Sequence, residues 1–367
     1  MKFRAAILHE VDRPLSIETV ALDPLQPTDV LVRLRASGLC HTDLEVMQGS
    51  LAYPLPIVLG HEGAGIVERV GQAVTHVQPG DHVVCSWNPH CGHCFYCERD
   101  QPILCEPFSR HQPAGHLLDG QSRYTLDGAK LHHFSVVSSH AEYCVVPESG
   151  AIRVPKEIPF DRACLIGCGV MTGVGAVVRK ARVEAGASVV AVGCGAVGLN
   201  VLQGAQLAQA DIVIAIDRDP AKEDMARQFG ATHFIVADAD AIDQVRALTA
   251  GRGADYVFEC AGSEASLQLG FEVVRPGGHA VILGKTNVQQ KVGFRFGSLM
   301  GEKEIVRSSY GGARPRRDFP WLAQAYLDGK LKLDQLISLR LPLDRINDGF
   351  DAMRRGEVVR AVLELPG

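Results

Sequence analysis

The apolar positions of this chain change their pattern along the sequence. Near the N-terminus, apolar runs at residues 5–8 and 30–34 flank a proline-bearing stretch, which predicts an all-β start. From residue 189 onward, short and almost entirely apolar runs alternate with helical patterns, as at residues 189–192, 212–216 and 256–260. Strands that are apolar on both faces are typical of the buried parallel sheet of a doubly wound α/β fold. The pattern therefore predicts a β-rich first domain followed by an α/β domain.

A glycine-rich turn joins the first two of those parallel strands. Gly193, Gly195 and Gly198 follow residues 189–192, and Asp217 ends the second strand. Glycines at this spacing allow a tight turn and let a pyrophosphate approach the backbone at a helix N-terminus. A carboxylate at the end of the second strand accepts a hydrogen bond from a ribose 2′-hydroxyl and repels a 2′-phosphate. The turn therefore predicts NAD binding, and the alternative is an ordinary βαβ crossover with a permissive turn.

Four cysteines lie close together in one loop. Three are separated by two residues each and the fourth follows after seven: Cys91, Cys94, Cys97 and Cys105. Thiolates at this spacing suit a closed tetrahedral zinc site that pins an irregular loop. An iron–sulfur cluster and a metal-regulated switch are the alternatives, and the distant fourth cysteine disfavours the first. We expect a structural zinc ion here.

A second group of possible metal ligands is spread over more of the chain. Cys40 and His61 are 21 positions apart, a separation that a sheet can close. A lone histidine after a glycine is, however, more often structural than a ligand. Asp43 and Glu62 lie nearby, and metal-ligating imidazoles usually donate their other N–H to a carboxylate or a carbonyl. These residues alone make a weak candidate for metal binding.

Composition limits the class of protein. The 367 residues allow two domains, and the hydrophobic and charged fractions of 46% and 22% are those of a globular protein. A formal net charge of −5 gives no reason to expect a nucleic acid partner. Apolar runs stay short of membrane-spanning length, and the N-terminus lacks a signal-peptide core. We expect a soluble cytoplasmic protein that binds neither nucleic acid nor membrane.

In this order along the chain, the motifs resemble those of the zinc-dependent medium-chain alcohol dehydrogenases. They are Cys40-His41-Thr42-Asp43, Gly60-His61-Glu62, the four-cysteine loop, Gly167-Cys168-Gly169, the glycine-rich turn and Asp217. The resemblance covers essentially the whole chain. It is closest to the branch of liver-type and glutathione-dependent formaldehyde dehydrogenases, because residues 119–125 and 132–134 look like an insertion typical of that branch.

The resemblance implies a two-domain architecture. A GroES-like β-rich catalytic domain would occupy residues 1–170, and a Rossmann dinucleotide-binding domain residues 171–309. Residues 310–367 would return to the catalytic domain. It also implies a homodimer formed through the nucleotide-binding domains, as in relatives that carry the same insertion.

The resemblance also implies a catalytic zinc ion and NAD-linked oxidation of an alcohol. Two cysteines and a histidine, with a glutamate adjacent, would hold this second zinc: Cys40, His61, Cys168 and Glu62. Zinc would make the alkoxide of the substrate accessible, so that hydride passes to NAD and an aldehyde or ketone results. Thr42 would bond the substrate hydroxyl and pass its proton outward. Glu45, or water beside it, would end this relay, unless it is only a solvated acid on a helix face.

Further positions would contact the cofactor and the substrate. The cofactor contacts beyond the glycine-rich turn would be His41, Val197, Lys222 and Arg360. The substrate pocket would be lined by Leu51, Trp87, Arg110, Phe134 and Ser135. We expect a primary alcohol of aromatic or medium size, or a substrate with an anionic group if Arg110 points inward rather than to water.

Two other functions stay open. A glutathione-dependent formaldehyde dehydrogenase, which acts on S-hydroxymethylglutathione, is disfavoured because residues 49–54 lack the acids that bind this adduct in that branch. A non-catalytic zinc-holding sensor or binding protein is the second alternative, since a fold does not fix a function. The intact ligand set and Thr42 argue against the sensor.

Overall fold

The computed structural model describes residues 1–287 and 289–366, and the chain divides into two compact units. The first unit comprises Met1–Cys168 and the chain from Arg314 onward, and the second comprises Gly169–Ala313. The strands are β1 (Lys2–Leu8), β2 (Ser16–Leu22), β3 (Asp29–Leu39), β4 (Ile57–Val58), β5 (Glu62–Val70), β6 (His82–Cys85), β7 (Tyr124–Leu126), β8 (Ala129–Lys130), β9 (His132–His133), β10 (Tyr143–Pro147), β11 (Ala151–Arg153), β12 (Ser188–Val192), β13 (Ile212–Asp217), β14 (His233–Val236), β15 (Ala254–Glu259), β16 (Val274–Ile282), β17 (Glu304–Arg307), β18 (Ile337–Pro342) and β19 (Arg360–Glu364). The α-helices are α1 (His41–Met47), α2 (Phe95–Glu98), α3 (Glu106–His111), α4 (Phe160–Leu165), α5 (Met171–Gly175), α6 (Ala196–Leu207), α7 (Glu223–Gln228), α8 (Ala241–Leu248), α9 (Glu264–Val273), α10 (Pro315–Leu327) and α11 (Ile346–Arg354).

The first unit is built from two sheets whose strands pair mostly antiparallel. One sheet has the order β8-β7-β2-β1-β4-β9, and the other has the order β11-β6-β5-β3-β19-β18, with β10 also paired to β3. The long strand β3 lies between β5 and β19 in the second sheet, and most of its side chains are buried. Strand β19 pairs antiparallel with β3, with Ala361 opposite Leu39. The last strand of the chain therefore lies beside the end of β3, where Cys40 follows.

A helical stretch, Phe160–Ala181, contains the division between the two units. Within it, a π-helical segment, Ile166–Val170, separates α4 from α5 and contains Cys168. Such segments are rare and frequently occur at functional sites. Among the described residues, this is the one helix long and apolar enough to cross a membrane, and 72% of its most apolar window is buried. Buried core helices of folded domains share these properties.

The second unit is a parallel sheet with helices between its strands. The order is β14-β13-β12-β15-β16-β17, and each neighbouring pair is parallel. Every residue of β12 is buried, as expected for a strand covered on both faces. The chain order reverses beside β12, and open α/β sheets bind ligands at the carboxyl ends of strands at such a point. The predicted β-rich domain and doubly wound α/β domain are both confirmed.

One fully buried histidine links several elements of the first unit. His133, in β9, stacks on Tyr124 with the ring centroids 4.2 Å apart. Its Nε2 accepts the backbone N–H of Arg123 at 3.2 Å, and the Arg123 guanidinium pairs with the buried Asp29 carboxylate at 2.6 Å. Burial, and then the positive charge of Arg123, lower the pKa of His133 to about 3. The ring is therefore neutral at pH 7 and acts as a hydrogen-bond acceptor.

We expect the protein to be less stable at pH 5 than at pH 7 because His133 is buried in its neutral form. The unfolded histidine takes up a proton near pH 6.5 and the folded one near pH 3, so the unfolded chain binds more protons between these values. This difference lowers the free energy of unfolding by about 2 kcal/mol between pH 7 and pH 5. Urea unfolding of the unmodified chain and of His133→Gln at both pH values measures it. Equal losses of stability in the two proteins would show that His133 does not contribute.

Candidate active site

Four possible metal ligands come together in the first unit. One ligand atom from each of Cys40, His61, Glu62 and Cys168 lies within 4.8 Å of the others. Cys40 lies between β3 and α1, His61 immediately precedes β5, and Cys168 belongs to the π-helical segment. His61 and Glu62 are almost completely buried. Three separate stretches of the chain therefore converge on one buried cluster.

Asp43 holds two of these ligands in place. Its side chain is fully buried, and Oδ2 accepts the backbone N–H of Cys40 at 3.0 Å. Oδ1 accepts the backbone N–H of Gly60 at 3.0 Å and lies 3.3 Å from Nδ1 of His61. A carboxylate at Nδ1 places the ring proton there and leaves Nε2 as the metal-binding nitrogen. Asp43 therefore fixes both the position of Cys40 and the orientation of His61.

Glu62 is shared between the cluster and Arg360. Arg360 donates from Nη2 to Glu62 Oε1 at 2.5 Å and from Nη1 to the carbonyl of Leu39 at 3.0 Å. Oε2 of Glu62 is buried and has no hydrogen-bond partner among the described residues. Burial raises the pKa of Glu62, and the positive charge of Arg360 opposes that rise. Arg360, predicted to contact the cofactor pyrophosphate, is thus placed in an ion pair with Glu62.

The donor atoms of the cluster suit a metal that binds thiolates, and such a metal would displace the protons they share. The hydrogen bond between the two sulfurs lowers the pKa of Cys40 and raises that of Cys168, so one thiolate and one thiol share a proton. Burial lowers the pKa of His61, but Asp43 and Cys40 together raise it more. Two sulfurs, an imidazole and a carboxylate oxygen form a donor set that fits zinc, which binds such groups tetrahedrally.

Helix α1 carries three further predicted site residues. The side-chain oxygen of Thr42 lies 3.9 Å from the sulfur of Cys40, and Thr42 is half-buried. Glu45 is also half-buried, whereas His41 is exposed. Thr42 therefore lies close enough to a ligand sulfur to contact a small molecule bound beside it.

Aromatic side chains pack beside His61. The ring centroid of Phe134 lies 5.5 Å from that of His61 and 5.0 Å from that of Tyr53, edge-on in both cases. Leu51 and Trp87 are partly buried and pack against the apolar core that contains Phe134. Of the other predicted pocket residues, Ser135 is buried and Arg110, in the last turn of α3, is exposed. The structure thus groups three of the five predicted pocket residues in one apolar region.

The four-cysteine loop forms a second metal-binding cluster. One sulfur from each of the four cysteines lies within 4.8 Å of the others, and all four are free. The backbone N–H groups of Cys91 and Glu106 point at the sulfurs of Cys105 and Cys94, at 3.3 and 3.4 Å. Desolvation raises the pKa of Cys94, but N–H groups, including that of Glu106, lower it more, to about 6. Four sulfurs in this arrangement fit a closed zinc site.

The glycine-rich turn after β12 has the geometry of an anion cradle. Gly193 has a φ of +97°, and a Cβ at Gly198 would lie 1.8 Å from the Gly193 carbonyl oxygen, so both positions require glycine. Gly195 is the N-cap of α6, and a Cβ there would meet no described atom within 4 Å. Val197, in the first turn of α6, is half-buried. The free N–H groups at the start of α6 therefore fit a pyrophosphate.

Asp217 lies at the end of β13 as a buried anion. Its Oδ2 accepts the backbone N–H of Cys194 at 2.7 Å and the ammonium of Lys222 at 3.0 Å, and Oδ1 accepts the N–H of Asp219 at 3.1 Å. Burial raises the pKa of Asp217, but these hydrogen bonds lower it more. A charged carboxylate here fits the ribose of NAD and repels the 2′-phosphate of NADP.

Reasoning from the sequence missed two residues beside the ligands. Tyr53 packs on Phe134 and its hydroxyl accepts a hydrogen bond from Gln112. His140 is fully buried, with Nε2 3.8 Å from Oδ1 of Asp43. Neither residue belongs to a known motif, and neither is separated from the ligands by a spacing typical of metal sites. Only their position in space connects them to the site.

Comparisons with known proteins agree with this geometry. Residues 26–156 match the family described as alcohol dehydrogenase GroES-like domain, and residues 196–328 match the family described as zinc-binding dehydrogenase. The chain is 39% identical over 373 residues to the S-(hydroxymethyl)glutathione dehydrogenase of Paracoccus denitrificans, with 99% of this chain and all of that protein covered. It is 40% identical over 366 residues to the alcohol dehydrogenase class-3 of Myxine glutinosa, with 99% and 97% covered.

A solved structure resembles this chain over its full length. The benzyl alcohol dehydrogenase of Acinetobacter calcoaceticus is similar with a TM-score of 0.94 and 31% sequence identity, and the comparison covers all of both chains. The names of the sequence relatives match the glutathione-dependent alternative more closely than they match an aromatic alcohol.

We expect Cys97→Ser to remove one zinc ion and to weaken the fold. The content should fall from about two to about one zinc per chain, because a serine hydroxyl does not replace a thiolate ligand. The melting temperature should also fall, because metal binding at such a site contributes to folding. Atomic absorption and thermal unfolding measure both effects. Cys260→Ser, which changes a cysteine outside both clusters, is the control, and equal zinc contents in the two variants would contradict the assignment.

Proposed function

We propose, because this chain belongs to the family of zinc-dependent alcohol dehydrogenases, that its substrate presents a primary CH₂OH group. The chain is an NAD-dependent enzyme of this family, and its two cysteine clusters are its zinc sites. One observation carries the proposal: Cys40, His61 and Cys168 converge within 4.8 Å, and Asp43 fixes two of them.

The chain's own residues position the reactants and move the proton. When bound, zinc supplies the positive charge that stabilises a negative substrate oxygen, and NAD accepts the hydride. Asp43 keeps Nε2 of His61 free to bind. Thr42, beside the sulfur of Cys40, accepts the proton of the substrate hydroxyl at Oγ1 and releases its own toward solvent. Glu45, on the same helix, receives that proton directly or through water.

Most of the cofactor contacts that we propose belong to the second unit. We assign cofactor contacts to His41, Gly193, Gly195, Val197, Gly198, Asp217, Lys222 and Arg360. This assignment is supported by the cradle at the start of α6 and by the charged carboxylate of Asp217. We likewise assign residues 1–170 and 310–367 to the catalytic domain and residues 171–309 to the nucleotide-binding domain.

Different observations support two substrates that share the CH₂OH group. The names of the sequence relatives make S-(hydroxymethyl)glutathione the first candidate. The apolar surroundings of Phe134 and Trp87, the absence of acids in residues 49–54, and the benzyl alcohol dehydrogenase structure support an aromatic alcohol as the second. The exposed Arg110 bears on this choice, because glutathione carries carboxylates and benzyl alcohol does not.

Substrate preference with NAD distinguishes these candidates. If the glutathione adduct is the substrate, its kcat/KM exceeds that of benzyl alcohol, and Arg110→Ala lowers it about tenfold through a lost charge pair, or ~1.4 kcal/mol. If benzyl alcohol is preferred and Arg110→Ala leaves its kcat/KM unchanged, the aromatic candidate holds. Steady-state rates of NADH formation give both values. An enzyme with full zinc content that oxidises neither compound would contradict the proposal.

We also propose that the protein is a cytoplasmic homodimer formed through β17. This strand lies at an end of the sheet order, and among the described residues β16 is its only partner strand. Phe296, Met300 and Ile305 on or near it are 77%, 62% and 43% exposed. An unpaired edge with exposed apolar side chains favours pairing with a second copy. None of the described cysteines forms a disulfide, which is consistent with a protein of the reducing cytoplasm.

Placing a charge on this edge should separate the two copies. Ile305→Lys puts an ammonium group where the second copy would bury an apolar side chain, so we expect the mass in solution to fall by half. Sedimentation velocity measures it. Val236→Lys, on the opposite edge strand β14, is the matched control and should leave the mass unchanged. A dimer that survives Ile305→Lys would place the interface elsewhere.

A further inference from the structure

A second imidazole approaches the carboxylate that organises the catalytic cluster. Nε2 of His140 lies 3.8 Å from Oδ1 of Asp43, and both side chains are fully buried. His140 is not one of the four residues whose ligand atoms form the cluster. Within the described part of the chain, Nε2 of His140 has no hydrogen-bond partner. The group that this nitrogen approaches is therefore the Asp43 anion.

Two buried serines and Asp43 together favour one position for the proton of His140. Ser37 Oγ lies 3.1 Å from Nδ1 of His140 and 2.7 Å from Ser139 Oγ. Burial lowers the pKa of His140 to about 4, so the ring carries one proton at pH 7. A proton on Nδ1 would leave a lone pair on Nε2 facing a buried anion, which is repulsive. The favoured arrangement has Ser139 donating to Ser37, Ser37 donating to Nδ1, and Nε2–H directed toward Asp43.

Backbone hydrogen bonds connect Ser139 and His140 to the two residues that precede the ligand His61. His140 N donates to the carbonyl of Leu59, and Ser139 N donates to the carbonyl of Gly60, both at 3.0 Å. Gly60 in turn donates its own N–H to Asp43. Gly60 has a φ of +92°, and a Cβ there would lie 2.5 Å from His140 N. The two residues before His61 are therefore fixed between Asp43 on one side and the Ser139-His140 backbone on the other.

We propose that His140 is a positioning residue of the catalytic zinc site. Its Nε2–H faces the Asp43 carboxylate at 3.8 Å and stabilises that negative charge electrostatically. The carboxylate in turn orients His61 and the backbone of Cys40. Groups that support metal ligands in this way typically contribute 10–100-fold to metal affinity. His140 acts through Asp43 rather than on a ligand directly, so we expect a loss at the lower end, about tenfold. The inference rests on the zinc site of the proposed function but not on the identity of the substrate.

Zinc affinity of the catalytic site tests the role of His140. His140→Phe keeps an aromatic ring, which the edge-on packing against Phe350 accommodates, and removes the N–H. Competition with a chromogenic chelator should show about tenfold weaker binding of one zinc ion and unchanged binding of the other. His140→Gln returns an N–H donor and should recover most of the affinity. His133→Phe, which removes another fully buried imidazole, is the matched control and should bind both ions as the unmodified chain does.

A spectroscopic readout separates positioning from general loss of structure. In the cobalt-substituted protein, a displaced His61 changes the ligand-field bands of the catalytic site, so His140→Phe should shift them and His133→Phe should not. Ser37→Ala removes the hydroxyl at Nδ1 and should weaken the same zinc ion several-fold, which tests the inference if His140→Phe does not fold. Unchanged affinity and spectra in the His140 and Ser37 variants would overturn it. An unmodified chain that lacks two zinc ions or alcohol turnover would contradict the proposed function instead.

Discussion

The catalytic cluster depends on the hydrogen bonds that the buried carboxylate of Asp43 accepts. Removing a carboxylate from water costs several kcal/mol unless hydrogen bonds and charges compensate for it. Here the compensation comes from the backbone N–H groups of Cys40 and Gly60 and from the imidazole of His61. The groups that make the burial of Asp43 tolerable are therefore the ligands themselves or their immediate neighbours. Asp43 can therefore be buried as an anion only when the ligands are correctly placed, because they and their neighbours provide its hydrogen bonds.

Charge balance explains why the end of the chain returns to this site. The cluster and the adjacent Asp43 bring a thiolate, a thiol and two carboxyl groups into a largely buried region, and a bound divalent cation would offset part of the negative charge. Arg360 supplies a further positive charge next to Glu62, and it is the first residue of β19. Pairing of β19 with β3 thus completes the sheet and also brings Arg360 beside the buried carboxyl group of Glu62.

Features that the sequence predicted well are those encoded locally. The four-cysteine loop and the turn from Gly193 to Gly198 are short, so residue spacing and glycine geometry almost determine their shape. Apolar runs likewise marked the buried parallel strands of the second unit. Cys168 could be assigned only by resemblance, because its approach to Cys40 depends on a π-helical segment with no sequence signature. His140 left no periodic or spaced pattern at all, since it approaches Asp43 only when α1 and the segment before β10 fold together.

The two zinc sites differ in the way that their roles require. The four-cysteine site takes all its ligands from one loop and offers four sulfurs, so it is saturated and contributes stability to that loop. The catalytic site draws ligands from three stretches, and its fourth member, Glu62, is already held by Arg360 through one oxygen. A carboxylate restrained in this way would be a weaker ligand than a thiolate when zinc is bound, so the residues here would leave a position for a substrate oxygen. Ligands that are held by the buried Asp43 but do not saturate the metal would allow a substrate to bind, whereas four cysteines from one loop would only stabilise the fold.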